Sequence, residues 1–484
     1  MKNDFSGFSI NSFSLILFSF FLLFSCSPTK KKPEFGIISS PIVQPIAPLK
    51  DTSISSGVVH KKIFCKRDSL QSYSLYLPTT YSAINQPGKA PANFGKFSVI
   101  YFFDSHADGV LPVEKYKGLA EKYNFIIAGS NVSKNGLPAD ILQHHVEIFM
   151  EDVKEKFSVD PGRVYTSGFS GGSRVASSIA LKIGGIAGVA GCGAGFPNMT
   201  EPIRTKFNFI GVAGEADFNL IELKNLNLAL ENSPLKHELV FFDGKHEWPP
   251  EKTMEEVFLW FEFNAMAEGL IPKNDSIIKS FIKKSENEIF ISNNDNNLSA
   301  LAVSYKKIIN SLDGLADVSV YQKKLAVIEK SPAYISILNN QKALEKRELE
   351  NQQEYSAAFA SKNVEWWIKA IKNLKSEKSL EAKRMLGYLG LVAYMYSNNG
   401  LNKNLLPETD VFLKIYALLE PENPEHAYMR AQLFIKTGQR EMAIESLKKA
   451  ILLGFNDKNR IENDEVFSSL KNQDEFSEII SSIK

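Results

Sequence analysis

The pentapeptide Gly168-Phe169-Ser170-Gly171-Gly172 holds the residue types of an activated nucleophile set in a sharp turn. A serine hydroxyl attacks poorly until a base takes its proton, so the motif carries chemistry only with a base and an acid to serve it. Its glycines suit a turn where a strand passes into a helix at close range, since none adds a β-carbon where the two backbones meet. The motif follows the β-rich run RVYTSG (163–168) and precedes a helical pattern over 172–182. Three fixed residues alone are a weak signal. The strand–turn–helix setting favours catalysis over a glycine-rich packing turn.

His246 is the best base. It stands in Gly244-Lys245-His246-Glu247-Trp248-Pro249, just after the strand-like run ELVFFDG (238–244), where open α/β sheets put their sites. Other histidines fit surface or packing roles: His144 and His145 within a helical pattern, His60 in a tether-like region, His237 ahead of a strand and His426 in a helical region. Asp217, in Gly214-Glu215-Ala216-Asp217 after the run FNFIGVAG, would orient the imidazole and stabilise its charge. Glu215 and Asp243 are alternatives, Asp243 better placed to shape the turn before His246. Asp217 could otherwise cap the helix expected over 218–230. An oxyanion formed at Ser170 needs donors. The backbone N–H of Gly171 is one, and His106 or Ala107, in the loop 104–109 after the run FSVIYFF, is the candidate for the second. His106 could equally serve only to order that loop.

The elements that must position these residues are read from periodicity. SYSLYLP (72–78) alternates as an outer strand, and the runs at 97–103, 124–129, 163–168, 185–191, 207–214 and 238–244 are continuously apolar, as strands buried on both faces are. Helical patterns at 113–123, 139–157, 172–182, 218–230 and 251–263 separate most of them. The alternation predicts an α/β fold with a doubly wound, mainly parallel sheet. Residues 192–206 lack a helical period and read as a loop near the site. After Ala265 strand signals vanish. A linker containing a helix is expected over 267–297, then an all-α domain over 298–484.

Residues 73–263 resemble the α/β-hydrolase superfamily, and within it the polyhydroxybutyrate depolymerase-like and feruloyl-esterase-like branch. The segments SYSLYLP, VDPGRVYTSGFSGGSRVA and DGKHEWPP carry the likeness. The resemblance implies carboxylic-ester hydrolysis through an acyl-enzyme on Ser170, with His246 as general base and acid and with no cofactor or metal. A small-molecule or polymer ester would be the substrate. That family usually has His-Gly in the oxyanion loop, where this chain has His106-Ala107. A peptidase or thioesterase on the same fold is an alternative, as is a catalytically silent hydrolase-like shell. Residues 426–454 resemble a tetratricopeptide helix pair, with Ala431, Phe434, Gly438, Ala443, Leu447 and Ala450 in its small–large spacing. One repeat earlier, Leu413, Tyr416 and Pro421 fit, with a loop expected around 398–405. That likeness implies a protein-binding groove; a generic helical bundle is the plainer reading.

The chain begins with Lys2 and an apolar run, SLILFSFFLLF (14–24), of signal-peptide length and short for a bilayer span. Leu23-Phe24-Ser25-Cys26 resembles a bacterial lipobox, which implies acylation of Cys26 and a membrane held through a lipid anchor. The expected organisation is a signal peptide (1–25), a Ser/Pro/Lys-rich tether (26–56) and a hydrolase domain (57–266), ahead of the linker and helical domain. Export to the periplasmic side is favoured over the cell surface, because Lys30-Lys31-Lys32 is basic rather than acidic. Cys65 and Cys192 could pair in an oxidising compartment or remain buried thiols. A chain of 484 residues exceeds one ordinary core, and a formal net charge of +1 gives no basic surface for nucleic acid.

Overall fold

A computed structural model describes residues 54–83, 96–197 and 203–483. Cys26, the expected signal peptide and most of the tether lie outside the described residues. Two compact units form. The first holds the described residues up to Gly214, then Asn219–Phe242 and Glu247–Tyr334. The second holds Glu215–Phe218, Asp243–His246 and Ile335–Lys484.

The first unit is built on eight strands: β1 (Val59–Phe64), β2 (Ser72–Tyr76), β3 (Phe97–Phe103), β4 (Phe125–Ser130), β5 (Val159–Phe169), β6 (Gly188–Cys192), β7 (Asn208–Gly214) and β8 (His237–Phe242). They form one mixed sheet in the order β1-β2-β4-β3-β5-β6-β7-β8. β2 runs antiparallel to β1 and β4, and every other neighbouring pair is parallel. The helices α1 (Thr80–Ala83), α2 (Val110–Tyr123), α3 (Ala139–Lys156), α4 (Gly171–Lys182), α5 (Leu220–Leu230) and α6 (Glu251–Ala267) alternate with the strands.

Pleating divides each buried strand between two cores. On β3, Val99, Tyr101 and Phe103 pack with Val146, Phe149 and Val153 of α3 and with Ile179 of α4. Ile100 and Phe102 of the same strand pack on the other face with Val113 and Tyr116 of α2 and Val257 and Phe258 of α6. Apolar side chains on both faces explain the unbroken hydrophobic runs of the parallel strands. β1 differs. Its sequence VHKKIF turns Lys61 and Lys62 to solvent, and it pairs with a single neighbour. Charged edge strands of this kind discourage pairing with other chains, and they lack an apolar signature. His60 therefore lies on β1 and not in a tether; its Nε2 is 2.8 Å from the Ser55 carbonyl oxygen. Cys65 and Cys192 are buried thiols that are not joined in a disulfide. Burial, with Asp152 nearby, pushes the Cys65 thiol up to about 12.

Three further helices belong to the first unit: α7 (Asp275–Asn294), α8 (Leu298–Leu312) and α9 (Ser319–Glu329). Ile278 and Phe281 of α7 and Ile308 and Leu312 of α8 share a core with Phe263 and Met266 of α6. The segment read as a linker is thus mostly α7, started by an Asn274 side chain that accepts from the N–H groups of Ser276 and Ile277.

The second unit is helical apart from its two short loop segments. It contains α10 (Pro332–Ser361) from Ile335 onward, then α11 (Val364–Ser376), α12 (Leu380–Asn402), α13 (Leu406–Leu419), α14 (Pro424–Lys436) and α15 (Arg440–Leu452), followed by α16 (Lys458–Asn463), a 3₁₀ turn and α17 (Asp474–Ser482). Ala431, Ala443, Leu447 and Ala450 are buried where α14 and α15 pair, and Gly438 turns between them at φ +77°. The loop expected around 398–405 is mostly helix. α12 continues to Asn402, and the chain turns through Asn404 at φ +55°. Among the described residues no helix is long and apolar enough to cross a membrane.

Candidate active site

The turn at Ser170 is the most constrained point of the first unit. β5 ends at Phe169, α4 begins at Gly171, and Ser170 between them takes φ +56°, ψ −118°. A non-glycine residue in such a conformation costs about 1–3 kcal/mol and persists only where its surroundings dictate it. The Ser170 N–H donates to the Cys192 carbonyl at the end of β6 (2.8 Å), and the Ser170 carbonyl accepts from the Ser173 N–H (3.1 Å). The glycines are required for different reasons. A β-carbon on Gly168 would lie 2.0 Å from the Gly172 carbonyl oxygen, and one on Gly172 would lie 1.9 Å from that of Phe103. One on Gly171 would meet the side chain of the exposed Asn135, its oxygen nearest at 1.7 Å. Gly171 opens α4, so its N–H has no carbonyl partner one turn back in the helix.

The acid and base lie together in the second unit. The His246 Nδ1 is 2.9 Å from Oδ1 of Asp217. The Asp217 carboxylate is 1% exposed. An ionised carboxylate only accepts, so the proton belongs on Nδ1, which leaves the Nε2 lone pair as the base. The Phe218 ring covers the imidazole at 4.2 Å between centroids. The Ala216 N–H donates to the Gly244 carbonyl (2.9 Å), tying the loop that carries Asp217 to the loop that carries His246. Asp217 is no helix cap. α5 begins after Asn219, and the aspartate points its carboxylate at the imidazole instead.

In the loop after β3, the His106 N–H donates to the Asp104 carboxylate (2.7 Å) and the Ala107 N–H donates to the Asp104 carbonyl (3.3 Å). The first is a short, charge-assisted bond; the second is long and easily exchanged for a better acceptor. Ala107 takes φ +65°, the region glycine enters without cost. The alanine therefore keeps a glycine-like loop shape. The His106 imidazole is largely exposed, with Nδ1 3.1 Å from the Ser105 hydroxyl.

Sequence reasoning passed over the pair that braces this loop. The Trp248 Nε1–H donates to the second Asp104 oxygen at 2.8 Å, with both side chains buried. The Tyr116 hydroxyl donates to the Pro249 carbonyl (2.7 Å), and the Trp248 ring packs against Phe169 at 5.6 Å. The Gly-x-His-x-Trp-Pro motif thus anchors its own end beside the turn that carries Ser170. Burial alone would raise the Asp104 carboxyl, but hydrogen bonds from His106 and Trp248 outweigh it and hold the group below the usual carboxylate range. Only the separation of 144 residues hid the contact. Among the described residues no three His, Cys, Asp or Glu side chains gather in a way that could hold a metal.

The chain matches no known family profile, and no curated protein is similar to it. Solved structures to which it shows some likeness include an S-formylglutathione hydrolase from Staphylococcus aureus (11% identity, 43% of this chain and 98% of that one, TM-score 0.36). A ferulic acid esterase (14%, 43% and 96%, 0.32) and an S-formylglutathione hydrolase from Agrobacterium tumefaciens (12%, 42% and 92%, 0.31) are others.

Gly172→Ala should cost at least about 3 kcal/mol or abolish folding, because backbone must move, whereas Gly171→Ala should cost less than about 1 kcal/mol, since the Asn135 side chain can swing away. Urea unfolding of the two variants checks the contrast. Trp248→Phe should lose about 1–3 kcal/mol at pH 7 by leaving a buried carboxylate one donor short. Asp104 has a depressed folded-state value, so its contribution is present above the unfolded carboxyl range and is lost as pH falls through the folded value. The deficit of Trp248→Phe, measured by urea unfolding, should therefore narrow between pH 7 and pH 3.

Proposed function

We propose that the chain is a serine hydrolase acting on carboxylic esters. The Ser170 hydroxyl adds to the ester carbonyl as His246 Nε2 takes its proton. The oxyanion is received by the backbone N–H groups of Gly171 and of Ala107, which exchanges its long bond to Asp104 for the stronger acceptor; His106, held by the Asp104 carboxylate, shapes the loop. His246 returns the proton to the leaving alcohol, and water releases the acyl group from Ser170 by the same steps in reverse. The buried Asp217–His246 hydrogen bond carries this reading. The bond selects the imidazole tautomer that a general base needs, on a loop following a strand of the same sheet whose β5 ends at the strained Ser170. We further propose that Cys26 carries the lipid anchor, that the enzyme works on the periplasmic side of a membrane, and that the tetratricopeptide-like pair α14–α15 offers a face to a protein partner.

A fluorophosphonate probe should label the purified protein and leave Ser170→Ala unlabelled. Asp217→Asn should slow labelling and ester hydrolysis by about 10⁴-fold and His246→Ala by at least as much. Equal labelling of Ser170→Ala would overturn the reading. In cells fed a tagged fatty acid, the full-length chain should take up label, and Cys26→Ala should not.

A further inference from the structure

Asp217 and His246 belong by contact to the helical unit, and one buried ion pair of that unit reaches their loop. Arg384 on α12 meets Glu348 on α10 in a two-pronged bond, Nε to Oε1 at 2.8 Å and Nη2 to Oε2 at 2.6 Å. Arg384 is 6% exposed and Glu348 4%. The remaining arm, Nη1, donates to the backbone carbonyl of Glu215 at 2.7 Å, two residues before Asp217. One helical turn further along α12, Gly387 faces Phe218. A β-carbon on that glycine would lie 3.2 Å from the Phe218 ring, whose other neighbour is the His246 imidazole. Helix α12 thus touches the short segment Glu215–Phe218 on both sides of the catalytic aspartate.

A buried ion pair is costly to desolvate, and two well-packed apolar residues would hold α10 against α12 at least as firmly. What an apolar pair cannot do is hold a loop carbonyl in place. The guanidinium can, because its planar fork offers donors in fixed directions; Glu348 satisfies two of them and so aims the third. We infer that Arg384, oriented by Glu348, is a positioning residue of the acid–base pair. The inference rests on the proposed serine-hydrolase reading. Arg384 touches no reacting atom. It fixes the Glu215–Ala216 peptide just before Asp217, whose carboxylate reaches Nδ1 of His246, and a displacement near 1 Å in such an arrangement costs about 10²-fold in rate.

The test is made on the full chain with the double variant Arg384→Met/Glu348→Leu, which replaces the pair by apolar side chains of similar size and should unfold at close to the parental temperature. Arg384→Lys serves as the conservative variant. Two readouts are taken: fluorophosphonate labelling rates with their pH profile, and the NMR titration of His246 in protein carrying ¹³C-labelled histidine, assigned with His246→Gln. The expected result is a folded double variant that is labelled about 10- to 100-fold more slowly, loses kcat with little change in KM, and shows a displaced His246 titration. Arg384→Lys should recover only part of the loss, since an ammonium lacks the fork. A folded double variant with the parental labelling rate and an unmoved His246 titration would overturn the inference. If the parent itself takes no label, the serine-hydrolase reading fails separately. The His246 titration then decides alone: displaced in the double variant it supports the inference, and unmoved it overturns it.

Discussion

The close passage of β5 over α4 at Ser170 governs this molecule. Backbone atoms of Gly168, Gly172 and Phe103 lie so near one another that a single added carbon would overlap a carbonyl oxygen. That passage forces Ser170 into a positive φ, and the turn then lifts its side chain out of both the strand and the helix. A residue so strained must be held by something stronger than the turn. The holding groups are the hydrogen bond to the Cys192 carbonyl and the two cores that clamp β3, β5 and β6 from opposite faces. Strain at Ser170 is thus maintained by burial elsewhere, as at other sites where backbone strain coincides with function.

Two buried aspartates divide the remaining tasks. Asp104 is surrounded by donors, the N–H of His106 and the indole of Trp248, and these keep it charged despite its burial. Its charge organises a loop. Asp217 accepts a hydrogen bond from an imidazole, an arrangement that stabilises positive charge on His246. Both carboxylates follow strands of the same sheet, β3 and β7, beyond their carboxyl ends. That edge is where backbone N–H groups of helix starts and side chains of loop residues can converge without interrupting the ladder of strand hydrogen bonds.

Much of this arrangement could be read from residue order because it depends on local chain geometry. Seven of the eight strands announce themselves as apolar or alternating runs, and Gly-x-Ser-x-Gly marks its own turn because neither Gly168 nor Gly172 has room for a β-carbon. His246 and Asp217 could be chosen because each follows such a run by a few residues. What stayed hidden depends on contacts between distant segments. β1 carries two lysines on its exposed side and so lacks an apolar signal. The bond from Trp248 to Asp104 joins two polar loops with no shared period. The end of α12 at Asn402 was obscured by Asn398-Asn399-Gly400, residues that usually break helices. Here Gly400 is retained because a β-carbon there would lie 2.1 Å from the Thr409 hydroxyl oxygen, a close approach that sequence cannot reveal.

The last strands of the sheet leave a problem that the sheet itself does not solve. The loops after β7 and β8 are short, and neither contains a helix that could stiffen the residues between strand end and functional side chain. The Ala216 N–H to Gly244 carbonyl bond and the Asp217–His246 bond link the two loops to each other, yet a pair of linked loops still moves as one. Further contacts hold the first loop within the second unit. Arg384 holds a carbonyl of the first loop, and Gly387 seats the aromatic ring that covers His246. Glycine at 387 matters for that reason. In a helix it costs about 1 kcal/mol relative to alanine, and the cost is offset where a bulkier residue would press the Phe218 ring toward the imidazole. A helix placed only to bind a partner would have no need of a buried charge aimed at a loop carbonyl.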